Sequence, residues 1–160
     1  MNIWVRIYNI PPVLLDSEES AHNTGESLGT IIGTVTKIDT RKIDFNMIDY
    51  LRVGLILDAT KPIRRCVAIG GGPSKRFCML QYERLPTICH VCGKVSHSTE
   101  FYSIPVEARP EHLQYGDWLR YVPKKKDAQP SQKGRIRYIN NAPPYAKPTP
   151  SSSQTSNSND

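Results

Sequence analysis

No stretch of this chain is long and apolar enough to cross a bilayer. The longest apolar runs, such as Val53 to Leu57, fall far short of the roughly 20 residues a spanning helix needs, so no membrane partner is expected. The opening residues, Met1 to Pro12, lack a basic start followed by a long apolar stretch and a cleavage site. Without that context the four cysteines do not form a secreted disulfide framework, and they are expected to be reduced thiols in an intracellular protein, whether nuclear or cytoplasmic. Carboxylates are scattered, with no paired or metal-cluster pattern, and no Ser-His-Asp arrangement can be argued, so an enzyme is not expected. The GGGPSK stretch from Gly70 to Lys75 lacks the G-x-x-x-x-G-K-[ST] spacing and precedes a strand-like run. It reads as a hairpin turn rather than a phosphate loop.

What is present is an uneven charge. Residues 1–119 hold 13 Lys and Arg against 13 Asp and Glu, whereas residues 120–160 hold 8 against 2, so the whole formal excess of +6 lies in the tail. Lysines and arginines that displace counterions from phosphates gain affinity without a defined geometry, which makes Lys124, Lys125, Lys126, Lys133, Arg135 and Arg137 candidate nucleic-acid contacts. The same run also fits a nuclear-import address. Its Lys-, Pro- and Ser-rich composition cannot bury enough apolar surface to offset chain entropy, and residues 122–160 are expected to be a disordered basic tail.

Periodicity organises the first half. Alternation from Trp4 to Ile10 places Trp4, Arg6 and Tyr8 on one side of a strand and Val5 and Ile7 on the other. Asp16 and Glu19 form a capping pair for a helix to about Leu28, with Gly29 at its stop. Further strands are expected over Thr30 to Ile38 and Tyr50 to Asp58, then a hairpin of Ile63 to Ile69 and Arg76 to Tyr82. The fold class is therefore α+β: a partial β-α-β-β sheet of the RNA-recognition type plus a hairpin. The sheet face bearing Trp4, Arg6, Tyr8 and Arg52 is expected to serve packing more than direct base stacking.

After Leu85-Pro86 the periodicity ends and a Cys/His segment begins, where a metal would take the place of a core. Cys89 and Cys92 form a CxxC pair that lets two thiolates reach one tetrahedral ion. His97 follows, and the string C-x2-C-x4-H-x4-Y ends on Tyr102, where a fourth ligand would stand. A phenol with a pKa of about 10 coordinates poorly unless it ionises, so water is the expected fourth ligand of one Zn2+, with Glu100, His90, His112 or Cys78 as unranked substitutes. A rival site using Cys66, Cys78, Cys89 and Cys92 lacks a second CxxC, and its first two members fall in strand-like runs. For nucleic acid, His90 and Val95 occupy the positions of a stacking platform, and Lys94 offers a phosphate contact.

Taken in order, WVRI with Asn9-Ile10-Pro11, then Tyr82-Glu83-Arg84-Leu85-Pro86, Cys89 to His97, and Tyr115-Gly116-Asp117-Trp118-Leu119-Arg120 resemble a plant retroelement-derived family. In it an uncharacterised α/β domain precedes a CX2CX4HX4C zinc knuckle. The resemblance covers residues 1 to about 121. It implies Gag-like zinc and single-stranded nucleic-acid binding without assigned catalysis, with Cys89, Cys92, His97 and the position of Tyr102 as the ligand set. It also implies four segments: a truncated α/β domain over 1–86, a degenerate knuckle over 87–104, a post-knuckle segment over 105–121 and the tail over 122–160. The truncation is expected because members carry a further α/β segment before the tryptophan-containing strand. Tyr102 and Ser96 depart from the family's cysteine and glycine, which suggests a decaying copy. The competing expectation is a non-binding relic or a self-associating protein-interaction module, in either case with an unmetallated knuckle.

Overall fold

The computed structural model describes residues 1–40 and 50–123. Strand β1, Asn2–Tyr8, follows the expected alternation: Val5 and Ile7 are fully buried, while Trp4, Arg6 and Tyr8 lie on the opposite face. It ends before Ile10 because Asn9 turns into the left-handed region at φ 64°, its side-chain amide donating to the Phe77 carbonyl at 2.9 Å.

Helix α1 spans Glu18–Ile32, and both of its ends differ from the expectation. The N-cap is Ser17 rather than Asp16: Ser17 is extended, and its hydroxyl accepts from the Ser20 amide at 3.1 Å. Glu18 and Glu19 then sit in the first turn, where carboxylates complement the helix dipole. At the other end Gly29 remains helical. A Cβ there would come within 2.6 Å of Val35 Cγ2, and one on Gly25 within 3.0 Å of Ile38 Cγ2. These glycines let the helix lie close against the sheet rather than stopping it, and α1 ends only at Gly33. Strand β2 accordingly begins late, as Thr34–Asp39.

Strands β3 (Tyr50–Ile56), β4 (Cys66–Ile69), β5 (Arg76–Glu83) and β6 (Arg120–Tyr121) complete a curled sheet. Its order is β2-β3-β1-β5-β4, with antiparallel neighbours. The expected hairpin is thus β4–β5, its turn formed by the stretch after Gly70 with a 3-10 turn at Gly72–Ser74. β6 joins β5 in parallel, with Tyr82 opposite Arg120. Since Tyr82 is also opposite Val5, β1 and β6 flank β5 from opposite sides. The residues after the Cys/His segment therefore return to the sheet.

One face of the sheet, with α1, forms the core around Val5, Ile7, Leu51, Val53, Leu55 and Leu80. Tyr82 is fully buried, its hydroxyl donating to the Arg64 carbonyl at 2.7 Å. Leu119, from the post-knuckle segment, is fully buried in the same cluster. Among the described residues no helix is long and apolar enough to cross a membrane.

Candidate metal centre

The ligand loop leaves the sheet directly after β5, through buried Leu85 and Ile88. A tight turn follows: the Cys89 amide donates to the Lys94 carbonyl at 2.9 Å, and the Gly93 amide donates to the Cys89 carbonyl at 2.8 Å. Gly93 adopts φ 74°, a left-handed conformation that side chains other than glycine disfavour. This turn brings both sulfurs to one side, and the loop then delivers His97.

The candidate donor atoms of Cys89, Cys92 and His97 lie within 4.8 Å of one another, and Cys92 Sγ is 3.5 Å from His97 Nε2. Zinc bonds of roughly 2.3 Å to sulfur and 2.0 Å to imidazole nitrogen set tetrahedral donors roughly 3.5 Å apart. Both the donor types and their spacing fit a zinc ion. Cys89 is fully buried, and burial pushes the Cys92 thiol above its ordinary pKa, with the adjacent Cys89 sulfur adding to the rise. Metal binding there must displace protons, so affinity falls as pH is lowered.

Ser96 has a role that sequence reasoning missed. Its hydroxyl lies 3.1 Å from His97 Nδ1. In the tautomer with the proton on Nδ1, Ser96 Oγ accepts from it, and Nε2 is left with its lone pair free for a metal. Tyr102 stacks on His97, with centroids 6.1 Å apart and planes at 13°. The Tyr102 carbonyl accepts from Arg109 at 3.3 Å.

Among the described residues, the one metal-capable group of His, Cys and carboxylate side chains is Cys89, Cys92 and His97. His90, Glu100, Cys78 and His112 are not part of it. Cys78 is buried against the Asn9 carbonyl, and burial pushes its thiol up to about 11, which suits a core residue. The His90 amide donates to Thr99 Oγ1 at 2.8 Å, and its ring Nε2 is 3.7 Å from the exposed Asp117 carboxylate. Val95 packs against the core, and Lys94 is half-buried. Lys124, Lys125, Lys126, Lys133, Arg135 and Arg137 lie outside the described residues, as does the expected disorder of the tail beyond Pro123.

At the centre of the other sheet face Arg6 and Arg52 are paired with carboxylates. Arg6 Nε is 2.6 Å and Arg52 NH2 2.8 Å from the Glu83 carboxylate, and Arg52 NH1 is 3.1 Å from Asp39. The Arg6 guanidinium lies 3.4 Å from the Tyr121 ring centroid, and that of Arg52 lies 3.9 Å from the Trp4 ring centroid. Hydrogen bonds from Arg52, then from Arg6, hold the Glu83 carboxyl below its usual range. A depressed folded-state pKa contributes stability that is complete above the unfolded value, about 4.3, and is lost as pH falls through the folded one. Glu83→Gln is expected to cost about 2 kcal/mol at pH 7, with a loss that shrinks below about pH 4. Urea unfolding at pH 7 and pH 3 checks this, and an equal loss at both would refute the ionic origin.

A zinc-knuckle family model matches residues 57–104, a segment that includes the β4–β5 hairpin together with the Cys/His loop. This match and the three converging donors support a zinc-knuckle segment with a candidate zinc site at Cys89, Cys92 and His97. No curated protein and no solved structure matches the chain.

Proposed function

We propose that this protein is a non-enzymatic, low-specificity binder of single-stranded nucleic acid, Gag-like and derived from a plant retroelement, whose degenerate knuckle holds one zinc ion. The observation that carries the reading is the convergence of Cys89, Cys92 and His97 within 4.8 Å inside the segment matched by the zinc-knuckle model. Those three residues are the protein ligands, with water in the fourth position. The ion supplies rigidity to the loop. Ser96 orients the His97 ring, and Lys94 adds charge nearby.

Because His90 faces Asp117 and Val95 packs inward, the knuckle's stacking platform is weak, and affinity rests chiefly on the basic tail. The arginines of the sheet face are satisfied by Glu83 and Asp39, which favours packing over phosphate binding there. On this reading the protein is a salt-sensitive binder. Titration of a labelled single-stranded oligonucleotide should show affinity falling roughly 50-fold between 50 and 200 mM salt, if the tail neutralises about four phosphates. Chelation of zinc should lower affinity by a smaller factor and leave that slope unchanged. Salt-independent binding would contradict the electrostatic grip.

A second reading, a protein-interaction module, is favoured by one observation. Phe101, between His97 and Tyr102, and Val106, just beyond the knuckle, are 79% and 69% exposed. Self-association without oligonucleotide binding in the same titration, followed by sedimentation, would select it.

A further inference from the structure

The ligand loop does not hang from the sheet by its ends alone. Gly93, immediately after Cys92, is held through its carbonyl and at its Cα. Its carbonyl accepts from the amide of Ile63, a buried core residue, at 3.0 Å. At Cα it meets the ring of Tyr115, so closely that a Cβ on Gly93 would run into ring carbons Cδ1, Cε1 and Cζ. Tyr115 itself packs against the core, with the Arg65 guanidinium 5.6 Å from its ring centroid.

The position of that ring is set by the sheet. Directly after it the 3-10 turn Asp117–Leu119 buries Leu119, and β6 pairs with β5. Arg120 donates to the Leu85 carbonyl and, at 3.3 Å, to the Pro86 carbonyl, fastening this return to the strand exit that leads into the ligand loop. The turn that presents Cys89 and Cys92 is therefore enclosed between two parts of the α/β unit.

We infer that Tyr115 is a positioning residue for the metal centre, acting through Gly93 to hold the CxxC turn in its ligand-presenting shape before metal arrives. This rests on the proposed zinc binding. Ordering a free loop costs backbone entropy at the moment of binding, and a loop already ordered by the sheet avoids that cost. The benefit is greatest where one of four protein donors is missing. The Tyr115 contact uses ring carbons, so phenylalanine can replace it and a small side chain cannot.

The test is Co2+ titration, read by its d–d absorption, of the full chain and of the Tyr115→Ala and Tyr115→Phe variants, with Zn2+ competition for affinity. Tyr115→Ala should bind Co2+ about 10-fold more weakly and Tyr115→Phe like the unaltered chain, in line with the usual effect of residues that orient ligands. The metal-free thermal midpoint of Tyr115→Phe should be unchanged, and the circular dichroism of Tyr115→Ala should stay native. If the unaltered chain binds no Co2+ or Zn2+, the zinc reading itself fails. If it binds metal and Tyr115→Ala binds it equally, the positioning role is overturned while zinc binding stands. Should Tyr115→Ala not fold, Tyr115→Leu replaces it. If that also does not fold, the ring belongs to the core alone and the inference is overturned.

Discussion

Tyr102→Cys should raise zinc affinity by about 100-fold or more, equivalent to about 2.7 kcal/mol. The unaltered loop supplies two thiols and one imidazole, and its fourth place in the spacing is a phenol in place of a thiol. Loss of a group that merely orients a ligand costs about 10- to 100-fold in affinity, so gain of a coordinating thiolate should count for at least the upper value. Tyr102 already lies beside His97, the two rings stacked at 6.1 Å. The interaction between Arg109 and the Tyr102 carbonyl survives the substitution. Competition with a chelator of known affinity at constant pH measures the change. Cys92→Ser in the same assay should abolish one-to-one zinc binding. An unchanged affinity in Tyr102→Cys would mean that position 102 does not face the ion.

Leu119→Ala should destabilise the metal-free protein by about 3 kcal/mol, within the range for truncating a fully buried leucine. Leu119 has no exposed surface and packs in the same core cluster as Val5, Leu80 and Tyr82, although the Cys/His segment separates it from them in sequence. Were residues 105–121 an appendage, the same change would cost less than about 0.5 kcal/mol. Chemical unfolding in the presence of chelator separates the two. The thermal midpoint should fall by roughly 10 °C.

The strands were legible wherever alternation is strong. In β1 the residues expected to share a face, Val5 and Ile7, are buried together, and the strand expected from Tyr50 forms as β3, burying Leu51, Val53 and Leu55. The ends of α1 were not. Gly25 and Gly29 look like weaknesses or stops in isolation, yet they lie where the helix touches Ile38 and Val35. Local propensity carries no information about how closely a helix must approach a sheet. Tyr115 was visible only as part of a motif, and Ser96 only as a departure from one. Neither the contact with Gly93 nor the hydrogen bond to His97 Nδ1 can be read from residue type.

The identity of the candidate donors at Cys89, Cys92 and His97, the departure at the fourth position of the spacing, and the positive charge of the tail are determined by sequence alone. Each depends on residue type and short spacing. Tertiary structure decided what holds those donors together. Ile63 and Tyr115, which approach the Gly93 turn from strand-flanking segments on either side of it in the chain, meet it only because β5 and β6 pair around a shared core. Such contacts arise from long-range packing, which no short spacing encodes.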